Sequence, residues 1–99
     1  MKQKILKWVY DESSNAYDLY FNAFGDENII AGITDTGDGW EYGSTLLGVD
    51  NDFLDADNLE DAQSEMLDLI EQHYQDEINY YEELLSQFKE AREENNNEH

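Results

Sequence analysis

All six glycines of this 99-residue chain fall between Gly25 and Gly48, and there is no proline. Glycine enters φ > 0 without steric cost, and proline breaks helices. Tight turns are therefore cheap in the first half of the chain. From Val49 onward no such residue interrupts a helix. The division near Asp55 predicts an α+β domain, with a sheet built from the first half and helix from the second.

In the first half, Lys4 to Tyr10 alternate weakly and carry Trp8 and Val9. Ala16 to Phe24 alternate more clearly, with Tyr17, Leu19, Phe21 and Ala23 on one face and Asp18, Tyr20, Asn22 and Phe24 on the other. Asp11–Asn15 and Gly25–Asn28 are turn clusters. Ile29 to Thr34 is a third short run. Asp35-Thr36-Gly37-Asp38-Gly39 after it is a strong turn signal. Trp40 to Val49 forms a fourth run, bulged at Gly43. The expectation is a three- or four-stranded antiparallel meander over residues about 4–49.

In the second half, Asp57-Asn58-Leu59-Glu60 has capping-box spacing, with Asp57 in the cap position. Wound at about 100° per residue, Leu59, Ala62, Met66, Leu69, Ile70, His73, Tyr74, Ile78, Tyr81, Leu84, Leu85 and Phe88 share one side. Asp61, Glu65, Asp68, Asp76, Glu83 and Glu90 take the opposite arc. Glu77 falls in the middle of the apolar arc. Either the helix stops near Gln75–Glu77 and forms a hairpin, or one long helix carries Glu77 beyond the sheet's edge. A long helix would expose Ile78, Tyr81, Leu85 and Phe88, and a second copy of the chain would cover them as a homodimer. Glu93–His99 has no apolar content and should fray. The domain is thus residues 1–92, helical from 57 to 92, with 93–99 as a polar tail.

Charge is the other constraint. The chain holds 25 acids and 5 bases, a formal net charge of −20. Lys2, Lys4, Lys7, Lys89 and Arg92 sit at the two ends, so Trp8 to Phe88 contains no cationic lysine or arginine. A small domain ordinarily keeps its net charge within about 2–8, and the excess weakens folding by self-repulsion at low salt. A solubilising helix face mixes signs, because Glu–Lys pairs at i,i+4 stabilise it. This one forgoes such pairs before Lys89. A single-sign field steers association with a basic surface and repels nucleic acid and anionic lipid.

Catalysis finds little support. Cysteine is absent, which removes disulfides, thiolate chemistry and thiolate metal sites and fits an intracellular, cytoplasmic setting. The lysine-rich start is not followed by an apolar h-region, and no window is long and apolar enough to span a bilayer. The one internal histidine, His73, lies on the apolar side of the helix and reads as a packed or half-exposed core residue. No nucleophile-elbow motif frames a serine. Acids are so numerous that no pair stands out as a general acid and base. Asp50–Asp57 fails as a calcium loop. Starting at Asp50 the fifth position is Leu54 and the sixth is Asp55; starting at Asp52 the third is Leu54. No phosphate-binding glycine loop is present. No metal and no cofactor are expected, and no enzyme activity.

Taken together, small size, absence of cysteine, and acids unbroken by internal bases resemble a class of strongly acidic inhibitors made by phages and mobile elements. It includes DNA-mimic anti-restriction proteins and anti-CRISPR proteins. The resemblance implies stoichiometric inhibition, by occlusion, of a basic nucleic-acid-binding protein. A CRISPR effector nuclease is the first candidate, with restriction and repair enzymes behind it. In this chain Asp61, Glu65, Asp68, Asp76 and Glu83 would supply helix charge. Asp35, Asp38, Asp50, Asp52 and Asp55 would supply loop charge. Tyr10, Tyr20, Trp40, Tyr42, Tyr74, Tyr80 and Tyr81 are available as aromatic anchors. A reading from another class is an acidic structural or adaptor domain that dimerises through its helix and has no nucleic-acid role.

Overall fold

The computed structural model describes residues 5–22 and 26–97. Five strands precede one helix: β1 (Leu6–Asp11), β2 (Ala16–Phe21), β3 (Asn28–Asp35), β4 (Trp40–Ser44), β5 (Val49–Phe53) and α1 (Leu59–Asn97). The strands form one sheet in the order β1-β2-β3-β4-β5, each antiparallel to its neighbour. This is the expected α+β meander with one more strand. Lys4, Ala23, Phe24 and Gly25, assigned above to strand or turn, lie outside the described residues.

Two compact units divide the chain, Met1–Asp68 with the sheet and the start of α1, and Leu69–His99 with the remainder of α1. In the first unit, β3 buries Ala31 and Ile33 at the two-residue period of a strand. Leu19 stands opposite Ala31 in the register, and Tyr17 opposite Ile33. Trp40 and Leu54 are also buried. Ala62 and Met66, one helical turn apart, complete the buried set with no exposed surface.

The fifth strand comes from splitting the run Trp40–Val49. Gly48 adopts φ 71°, a conformation that favours glycine, and its N–H donates to the Thr45 carbonyl at 3.3 Å. The chain therefore reverses between Ser44 and Val49, and the acidic residues that follow continue as β5. The buried Ser44 hydroxyl donates to the Ile30 carbonyl at 2.7 Å and accepts the Leu47 N–H at 3.1 Å. Ile30 is the residue passed over where the β2–β3 register shifts, so Ser44 serves both the bulge and the turn. The bulge expected at Gly43 is present as a shift between Tyr42 and Ser44. A Cβ on Gly43 would lie 2.6 Å from the Asp50 carbonyl oxygen, and no side chain fits there.

The β3–β4 turn holds itself closed. Asp35 Oδ1 accepts the Gly37 N–H at 3.0 Å, and the Thr36 N–H donates to the Gly39 carbonyl at 3.0 Å. Gly37 sits at φ 87°.

The helix starts one residue later than its capping signal suggested. Asn58, not Asp57, is the cap: its Oδ1 accepts the Asp61 N–H at 2.9 Å, and its Nδ2 donates to Asp61 Oδ2 at 3.0 Å. Asn competes with Asp for this position on equal terms, so the dipeptide Asp57-Asn58 is ambiguous by sequence. The helix then runs 39 residues without a break. There is no hairpin at Gln75–Glu77. Amide pairs at i,i+4, Gln72 to Asp76 at 2.8 Å and Gln75 to Asn79 at 3.1 Å, occupy the spacing where ion pairs would otherwise form. Residues 93–97, expected to fray, are helical.

Gly43→Ala is expected to lower stability by about 1–3 kcal/mol, because β5 must move away from the new methyl group. Urea unfolding followed by circular dichroism measures this. A change below about 0.5 kcal/mol would mean that the bulge accommodates a side chain freely.

Candidate acidic binding surface

Of the ten acids expected to form the surface, nine are exposed, and Glu65 is half-buried. The sheet register groups several of them. Asp35 pairs with Trp40, Glu41 pairs with Phe53, and the Leu54 N–H donates to the Trp40 carbonyl at 2.8 Å. The β3–β4 turn, with Asp35 and Asp38, therefore shares one end of the sheet with Asp55. Asp50 lies toward the opposite end, near the pair Ser44 and Val49. Asp52 stands between them, its Oδ1 accepting the Phe53 N–H at 2.9 Å.

Asp35 and Asp52 accept backbone N–H groups one or two residues away, and two more of the ten are structural. Asp61 closes the helix cap described above. Glu65 Oε2 accepts the Asp55 N–H at 3.0 Å, tying the first turns of α1 to the chain leaving β5. Its carboxylate also stands near Tyr42, whose hydroxyl is pushed above the usual phenol range by burial first, then by the charges of Asp52 and Glu65. Glu65, expected on the solvent arc, is half-buried and uses its carboxylate on the Asp55 backbone donor.

Asp68 is exposed near the end of the first unit. In the second unit Asp76, Glu83 and Glu90 recur every seven residues on one side of α1. Seven residues advance a helix by about 10.5 Å, against about 3.4 Å per phosphate along one DNA strand. The helix thus offers a row of the right sign at roughly one-third the linear density.

Internal neutralisation is slight. Among the described residues the ion pairs are Lys7 to Glu27 at 3.1 Å and His73 to Glu77 at 3.7 Å, the latter charged only when the imidazole is protonated. His73 is partly covered, with its ring 5.8 Å from that of Tyr74. Glu77, the flaw in the apolar arc, is exposed beside it. Of the aromatic anchors, Trp40 is withdrawn into the core, whereas Tyr10, Tyr74, Tyr80 and Tyr81 remain exposed.

The open face of the sheet carries acids that were not singled out from the sequence. Gly32 and Gly43 face each other across β3 and β4. They leave bare backbone in a shallow groove of about 330 Å³ whose lining includes Thr34, Glu41, Asp50 and Asn51. Asp18 Oδ1 would lie 3.3 Å from a Cβ on Gly32. Burial, and then the charge of Asp11, raise the Asp18 carboxyl above the usual range. Asp11 shifts the other way: the Ser13 hydroxyl and then its N–H hold its carboxylate below the usual range, with bonds of 2.7 and 3.0 Å. Alternation had placed Asp18 on the polar face. What sequence periodicity lacks is the pairing of Gly32 with Gly43, which depends on register.

Among the described residues no three His, Cys, Asp or Glu side chains converge as a metal site would require. No helix among them is long and apolar enough to cross a membrane. Compared with protein-family models, curated proteins and solved structures, the chain matches none.

The raised Asp18 carboxyl gives a pH signature. A group whose folded pKa lies above its unfolded value favours the folded state below the unfolded pKa and loses that contribution as pH rises through the folded one. Asp18→Asn should therefore stabilise the fold at pH 7 relative to Asp38→Asn, which removes the same charge from an exposed turn. The difference should vanish near pH 3. Urea midpoints of both variants at the two pH values check this; equal midpoints at pH 7 would contradict it.

Proposed function

We propose that this protein is a stoichiometric inhibitor that presents nucleic-acid-like negative charge and occludes the basic nucleic-acid-binding groove of another protein. The observation that carries the reading is the scarcity of internal compensation: a formal net charge of −20, with Lys7–Glu27 the one lysine- or arginine-based ion pair among the described residues. Folded proteins avoid such self-repulsion unless the field is used. Here it extends over the sheet turns, β5 and one side of α1. A groove built to bind phosphates is the natural complement, and association would be driven by release of ions and steered at long range.

By its resemblance to acidic phage inhibitors, the first partner to test is a CRISPR effector nuclease, followed by restriction and repair nucleases. Action would then be in the cytoplasm of the host cell. Asp35, Asp38, Asp50, Asp52, Asp55, Asp68, Asp76 and Glu83 are the contact acids in this reading. Asp61 and Glu65 contribute charge but are tied into the fold. The other reading, an acidic adaptor domain that dimerises through its helix, draws on the exposed apolar side of α1.

Charge reversal separates the two. Asp68→Lys, Asp76→Lys and Glu83→Lys together move the formal charge from −20 to −14, since each change adds two. All three sites avoid the helix cap and the Glu65 contact. In a mobility-shift assay of effector on duplex DNA, the triple variant should inhibit at least about tenfold less well than the parent chain, with an unchanged helical spectrum. Undiminished inhibition by the variant would rule out the helix row. Failure of the parent chain to displace DNA from any of the three nuclease classes would favour the adaptor.

A further inference from the structure

The second unit leaves an apolar stripe bare. Tyr74, Ile78, Tyr81, Leu85 and Phe88 are between 40% and 66% exposed, and Phe88 is the most exposed of them. Their spacings are four, three, four and three, the heptad repeat of a coiled-coil seam. In that frame Ile78 and Leu85 occupy a positions, while Tyr74, Tyr81 and Phe88 occupy d positions. A hollow of about 390 Å³ on this stripe is lined by Tyr74, Glu77, Ile78, Tyr81, Glu82 and Leu85. Those six residues make two overlapping four-residue holes, Tyr74-Glu77-Ile78-Tyr81 and Ile78-Tyr81-Glu82-Leu85. Each has the form that receives one knob from a facing helix.

We infer that a second copy of this chain occupies the stripe, as an antiparallel two-helix coiled coil over residues 74–92. Area supports it. The stripe exposes on the order of 600 Å² per copy, so pairing removes roughly 1,200 Å², the lower edge of a stable specific interface.

Charge selects the direction. The cations of this unit, Lys89 and Arg92, stand at its C-terminal end, while Glu71, Asp76 and Glu77 stand toward its start. Antiparallel pairing lays one end against the other. In the register that seats Phe88 beside the partner's Ile78, and Tyr81 beside the partner's Leu85, Arg92 comes over the partner's Tyr74. That is a cation–π arrangement. Lys89 comes beside the partner's Gln75, and Glu82 meets its own copy once. A parallel pair would instead set Glu77 against the partner's Glu82 twice and keep the cations together.

Glu77 is then no flaw. It is a flanking g position, where coiled coils place charge. Asp76, Glu83 and Glu90 are f positions and face outward in the pair. The pairing does not rest on inhibition of any partner.

Sedimentation equilibrium of the full chain tests it. A dimer is expected, tightening as salt rises because the two copies are both acidic. Leu85→Glu should weaken it on the order of 100-fold with the sheet intact. The natural chain has no cysteine, so orientation is read from one introduced thiol. Glu82→Cys should cross-link to a dimer on oxidation, and Ser86→Cys, on the outer side, should not. A chain that stays monomeric at 0.5 mM in high salt overturns the proposal. So does a dimer indifferent to Leu85→Glu, or one in which Glu82→Cys fails to cross-link.

Discussion

Every part of this structure depends on a small core holding together against its own charge. Leu19, Ala31, Ile33, Trp40, Leu54, Ala62 and Met66 are the buried apolar side chains of the first unit, set against a formal charge of −20. Repulsion between exposed carboxylates is long-ranged at low salt but weak per pair. Burial is short-ranged and contributes about 1.5–3 kcal/mol for each large side chain. A fold can therefore carry a single-sign surface if the acids stay solvated and the apolar contacts stay dry. The structure follows that rule. Among the described residues the buried polar one, Ser44, has both a donor and an acceptor partner; the half-buried Asp11 and Glu65 accept hydrogen bonds, and Asp18 is shifted toward its neutral form.

Much of the architecture was legible because glycine and apolar period speak locally. Confining glycine to residues 25–48 separates a turn-rich half from a helix, and the turn at Asp35–Gly39 closes as its residues imply. The fifth strand was hidden for a physical reason. Thr45-Leu46-Leu47 has strand-like composition, and the reversal there depends on the φ of Gly48 and on Ser44 reaching across to Ile30, a contact distant in sequence. The cap moved from Asp57 to Asn58 because either residue type can accept the N–H three positions on, and Asn58 does so from Asp61. The continuity of the helix past Glu77 was the open alternative. It is settled by an exposed glutamate being compatible with a helix that has solvent around it.

The candidate site divides along the same line. Net charge is a property of composition, but Asp50 and Asp52, expected as loop charge, stand in β5, and Glu77, which the helical wheel puts in the apolar arc, is exposed. What sequence could not assign was which acids are spoken for. The Asp61 carboxylate is committed to the Asn58 side-chain amide in the helix cap, and Glu65 to the Asp55 backbone N–H, a contact ten residues apart in sequence. The groove between Gly32 and Gly43 is likewise a product of register. The two proposed interactions use different sides of α1 and opposite physics. Polyanion mimicry is weakened by salt. Self-pairing through the heptad stripe is strengthened by it and leaves Asp76, Glu83 and Glu90 outward, so a dimer would display two acidic rows.

The measurement that bears most directly on the mimicry is capture from a bacterial lysate on the immobilised chain, eluted in parallel with increasing salt and with duplex DNA. Retention of a nucleic-acid-binding protein is expected, released steeply with salt and displaced by DNA in proportion to its concentration. A retained partner that resists both, or one with no affinity for nucleic acid, would contradict it.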